Sequence, residues 1–101
     1  MLNETVAEPT TEEAIQDYGL KGVHPAANMF PLITGEEFWE LAKDIGTHGL
    51  EHDIVLTHDG LVLDGRNRLR ACAASGFQPS FHQLAEHYAH SEGGYVQYVI
   101  S

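Results

Sequence analysis

The chain has 101 residues, 43% of them apolar, with 15 acidic side chains against 5 lysines and arginines and a formal net charge of -10. That length sets a single domain, and the acidic balance excludes broad electrostatic attraction to nucleic acid, which needs a basic face. Cys72 is the one cysteine, which excludes an intrachain disulfide and a cysteine zinc site; no run approaches the ~18 apolar residues of a membrane span.

Residues 1–22 are polar and acidic and read as a flexible N-terminal tail, with a thin helical pattern from Thr11 to Tyr18 stopped by Gly19. The ordered domain, residues 23–101, begins at Val23-His24-Pro25, where proline biases His24 toward extended backbone. Met29 and Phe30 are expected as core anchors. From Thr34 to His48, Phe38, Leu41, Ala42 and Ile45 recur at helical spacing and predict an amphipathic helix. Thr34 and Glu37 have capping-box spacing, and Gly49 supplies the stop.

Two β-rich runs follow, Ile54 to Thr57 and Leu61 to Leu63, with His58-Asp59-Gly60 between them. That pattern predicts a β-hairpin turned at Gly60. Arg66 to Ser75 reads as a second amphipathic helix, its buried stripe Leu69, Cys72 and Ala73, ended by Gly76. Phe81 to Leu84 reads as extended, and Tyr95 to Ile100 fits either a strand or a helix.

The chemistry concentrates in Asp64-Gly65-Arg66-Asn67-Arg68-Leu69-Arg70, which holds every arginine of the chain. A strand, a glycine and a helix start place unpaired N–H groups and the positive end of a helix dipole beside guanidinium groups. Such a turn suits phosphate or carboxylate. The same residues also fit an arginine helix that pairs with an acidic surface while Asp64 caps it. Asp64 and Glu37 are the weak catalytic candidates. The histidines lack a defined third ligand, so no metal site is assigned.

The order of His24-Pro25-Ala26-Ala27, Phe30-Pro31, the Glu37-to-Ile45 helix, His48-Gly49-Leu50, Ile54-Val55-Leu56 and Leu63-Asp64-Gly65-Arg66-Asn67-Arg68 resembles the ParB/sulfiredoxin-like superfamily, in particular the N-terminal domains of plasmid and phage ParB-like proteins. The resemblance implies a small α+β fold with a short mixed sheet, a β-hairpin and flanking helices. It implies that Gly65, Arg66, Asn67, Arg68 and Arg70 bind the phosphates of a nucleoside triphosphate, CTP or ATP, with Mg²⁺. It further implies a cytoplasmic nucleotide switch that forms a homodimer, with slow hydrolysis as an open expectation and DNA bound only through segments outside this chain.

Two departures stand out: Asn67 replaces an arginine usual in partition proteins, and Arg66 stands where sulfiredoxins carry their cysteine, so sulfiredoxin chemistry is not expected. Kinase-like or nuclease-like activity and a non-catalytic interaction module are the alternatives; in the latter the arginine turn docks an acidic segment, such as the chain's own tail. The resemblance also places further nucleotide contacts beyond residues 95–100, so the domain is expected to continue past Ser101.

Overall fold

The computed structural model describes residues 7–87. Its elements are α1 (Thr11–Asp17), β1 (Gly22–Val23), a 3-10 turn (Pro25–Met29), α2 (Gly35–His48), β2 (Ile54–Leu56), β3 (Leu61–Asp64), α3 (Arg66–Ser75) and β4 (Phe81–Gln83). They form an α+β domain with a four-stranded mixed sheet in the order β1-β3-β2-β4. β1 runs parallel to β3, β3 antiparallel to β2, and β2 parallel to β4. No helix among the described residues is long and apolar enough to cross a membrane.

The expected hairpin is present. Thr57 N–H donates to the Leu61 carbonyl at 2.8 Å, and Gly60 takes φ 89° at the tip. Val55 faces Asp64 while Leu56 faces Val62, so the register slips and Leu63 is supernumerary on β3. A one-residue slip reorients the side chains that follow. Val62 and Leu63 are both fully buried, and β3, an inner strand, delivers Asp64 and Gly65 at its C-terminal end.

α3 is the central element. Leu69 joins Ala14, Ile54, Leu56 and Val62 in a core between the sheet and α1. Ala71 and Cys72 join Phe38, Ala42 and Ile45 in a second core against α2. The α2 stripe is as the periodicity predicts, and Gly49 ends that helix, its N–H donating to the Ile45 carbonyl at 2.7 Å.

Four sequence expectations differ from the structure. Within residues 1–22, read as a flexible tail, the thin helical pattern from Thr11 is present as the ordered helix α1, and Gly22 joins the sheet in β1. Thr10 and Glu13 make a reciprocal capping box, and Ala14 is fully buried. The signal is weak in sequence because a seven-residue helix presents few apolar positions; packing supplies its stability. The box expected at Thr34 and Glu37 is not formed: Thr34 occupies the cap position without a side-chain bond, and Gly35 N–H is taken by Glu8 Oε2 at 2.8 Å.

Met29 and Phe30 are 52% and 46% exposed rather than anchors. The tight 3-10 turn, with Pro25 first and His24 Nδ1 accepting from Ala26 N–H at 3.0 Å, sends the small Ala26 and Ala27 inward. On α3 Leu69 and Cys72 are buried and Ala73 packs half-buried against the core, as the stripe predicts, but Ala71 and the guanidinium-bearing Arg70 are buried as well. The Tyr95–Ile100 reading and the His87/His90 pair reach beyond the described residues.

Candidate functional site at the start of α3

Gly65 turns β3 into α3. Its φ of 108° and ψ of 23° lie in the left-handed region, which favours glycine. A Cβ there would sit 2.8 Å from Arg68 Nη2 and 2.9 Å from Ile54 Cδ1. Both the backbone angle and the packing therefore require the missing side chain. Gly65 supplies no side-chain cap, and the first N–H groups of a helix have no partner within it.

Around this turn lies a cavity of about 260 Å³. Leu63, Ile33 and Leu41 give it apolar walls, Phe30 stands beside it, and Asp64, Gly65, Arg66, Asn67 and Arg68 contribute the polar side. Larger grooves exist; one of about 560 Å³ beside Trp39 is lined by Glu36, Glu40 and Lys43 and by none of the arginines. Its net acidic lining has no set of converging anion donors, so the smaller cavity carries more of the relevant chemistry.

Each polar side chain of the turn is engaged. Arg66 Nη2 donates to the Phe30 carbonyl at 2.9 Å. Its Nε is buried and has no hydrogen-bond partner among the described residues. Asn67 clasps the loop before α2: Oδ1 accepts from Ile33 N–H at 2.9 Å, and Nδ2 donates to the Pro31 carbonyl at 3.0 Å. Arg68 Nη1 donates to the His52 and Asp53 carbonyls at 2.8 and 3.2 Å, while Nη2 lies 3.5 Å from Asp64 Oδ1. Asp64 therefore anchors an arginine rather than capping the helix.

The predicted residues separate into two groups. Gly65, Arg66, Asn67, Arg68 and Asp64 meet at one cavity. Arg70 and Glu37 do not line it. Arg70 is 3% exposed and points to the N-terminal arm; Glu37 is exposed on the first turn of α2. The spacing that places Arg66 and Arg70 on one side of the helix is real, yet neighbouring elements take them to different partners.

Sequence reading missed the 30–33 loop as a wall of the site. It meets the α3 side chains of Arg66, Asn67 and Arg70 through its own backbone groups, and backbone donors and acceptors leave no residue-type signal. Cys72 is a core residue: it is fully buried, and burial pushes its thiol up to about 11, against a smaller pull downward from Arg68. Such a thiol is a poor nucleophile near neutrality.

Among the described residues no group of three or more histidine, cysteine, aspartate or glutamate side chains is placed to hold a metal ion. No family model, curated protein or solved structure matches the chain.

Proposed function

We propose that this chain is the nucleotide-phosphate-binding domain of a ParB-like switch protein, taking the phosphates of CTP or ATP at the start of α3. The observation that carries this reading is the cavity at an uncapped helix N-terminus, lined by Gly65, Arg66, Asn67 and Arg68. An anionic oxygen is the natural complement to a helix N-terminus and a guanidinium. The sequence resemblance adds the nucleotide and the ParB-like assignment.

The size supports phosphates rather than a whole nucleotide within the cavity. About 260 Å³ falls below the roughly 300–1,000 Å³ usual for small-molecule sites. A bound nucleotide would extend its sugar and base past Phe30, where Met29, Phe30 and Leu32 form an exposed apolar lip. Backbone N–H groups from Arg66 to Arg68 would receive phosphate oxygens, with Arg66 and Arg68 balancing their charge. Mg²⁺ would neutralise the phosphate oxygens as a hard cation; Asp64 is the one carboxylate lining the cavity.

Asp64 already pairs with Arg68, which favours binding over a carboxylate-based enzyme activity. Homodimer closure around DNA, with the DNA held by segments outside this chain, is the corresponding role for the whole protein. Calorimetry of MgCTP, MgATP and MgGTP with this chain tests the reading. One nucleotide should bind saturably, and Arg68→Ala should weaken it about tenfold or more, the scale of a hydrogen bond to a charged group. Absence of binding by all three would refute it.

A further inference from the structure

The arginine farthest from the proposed phosphates is the most fully engaged. Arg70 Nε donates to the Pro9 carbonyl at 2.9 Å, and Nη2 lies 3.2 Å from Glu8 Oε1. Its Nη1 donates to the Ile33 carbonyl at 2.8 Å, and the guanidinium carbon sits 4.6 Å from the centre of the Phe38 ring. The Arg70 side chain is 4% exposed. Glu8 in turn uses its second oxygen to accept from Gly35 N–H, a cap that Thr34 leaves unfilled.

These contacts form one connected path. The N-terminal arm grips α2 at Gly35 and α3 at Arg70; Arg70 grips Ile33; and Ile33 is a wall of the cavity at Gly65. We infer that Glu8 and Pro9 are a strap which, through Arg70, fixes the 30–34 loop, and that Arg70 is a positioning residue for the cavity rather than a ligand contact.

The physical reason is that a buried guanidinium must have its donors met. Removing Glu8 leaves Arg70 with an uncompensated charge, and its remaining strong partners are loop and arm carbonyls. The loop is then held only by its bonds to Arg66 and Asn67, and the wall of the cavity loosens at Ile33. Arginine suits this role because its planar fork meets several separated acceptors while stacking on an aromatic face; lysine's compact ammonium has no such fork. The consequence for ligand affinity rests on the proposed phosphate site, whereas the strap itself does not.

Amide hydrogen exchange followed by NMR on the full chain, without ligand, tests the inference. Glu8→Ala should speed exchange at Gly35 by about tenfold or more, the loss expected for a hydrogen bond to a charged group, and should also speed exchange at Ile33, whose N–H donates to Asn67 Oδ1, as the loop loosens. Glu8→Gln keeps an acceptor for Gly35, so Ile33 should respond more than Gly35. Arg70→Lys should speed Ile33 as well.

Leu69 N–H, bonded to the Gly65 carbonyl at 2.8 Å, should stay protected in all three variants. Unchanged exchange at Ile33 would overturn the strap, because Glu8 would then only cap α2. Equal acceleration at Leu69 would overturn it too, because the pair would then serve general stability alone. A parallel titration with tripolyphosphate separates the two readings: if the unsubstituted chain fails to bind, the phosphate site falls, while the exchange data still decide the strap.

Discussion

Gly65 shows how a single residue type sets the geometry of the site. Alanine there would require both a left-handed backbone angle and a Cβ inside the contact distance of Arg68 and Ile54. Gly65→Ala should cost about 1–3 kcal/mol, read as a lower urea midpoint at unchanged slope. Cys72 gives a second prediction at this scale. Its folded value is raised from 9.0 to about 11 by burial, so the unfolded chain releases its proton first. That contribution is complete below pH 9 and is lost as pH climbs toward 11. Tyr18, also raised by burial, acts in the same direction at slightly higher pH. Unfolding midpoints measured from pH 8 to 11 should fall, and Cys72→Ala should flatten the fall.

At the scale of elements, α1 illustrates what capping and packing each supply. Thr10 Oγ1 accepts from Glu13 N–H at 3.1 Å, while Thr10 N–H donates to Glu13 Oε1 at 2.9 Å. Thr10→Ala should cost about 1 kcal/mol, checked by chemical denaturation. The hydrogen bonds from Thr10, its backbone first, lower the Glu13 carboxyl below its ordinary 4.5. The Thr57 hydroxyl likewise lowers Asp59 below 3.8. Both contributions are present above those ordinary values and are lost as pH falls through the folded ones. A stability profile should therefore decline on acidification below about pH 4.5.

The same elements show what was legible in sequence. α2, the hairpin and α3 carry strong local signals, namely apolar periodicity, Asp-Gly, and glycine stops, and all three are present. α1 carries its box in Thr10 and Glu13, but its burial depends on α3 and the sheet, which local pattern does not describe. The fate of Met29 and Phe30 turned on the tight 3-10 geometry after Pro25, where apolar character alone misleads. Around the site, Gly65 and its neighbours were legible as a strand-to-helix turn. Arg70 was not separable from Arg66 and Arg68, because its partners Glu8, Pro9 and Ile33 are distant in sequence and mostly backbone.

For the whole molecule, charge and topology act together. A chain of net charge -10 repels polyanions at long range, yet all three guanidinium groups gather where β3 meets α3. Two of them flank an anion-sized cavity, and the third ties the N-terminal arm to the loop that walls it. On the proposed reading, the acidic surface selects against extended nucleic acid while one concave spot takes a compact anion. The chain also holds its own carboxylate, Glu8, against the same helix, one turn beyond the cavity.

The central claim is that the start of α3 receives phosphate oxygens, and NMR titration of the labelled chain with the Mg²⁺ complexes of CTP and ATP tests it most directly. The account predicts saturable shifts centred on the amides of Gly65, Arg66, Asn67 and Arg68, reproduced by tripolyphosphate and lost in Arg66→Gln. Shifts confined to other surfaces, or none at millimolar nucleotide, would contradict it.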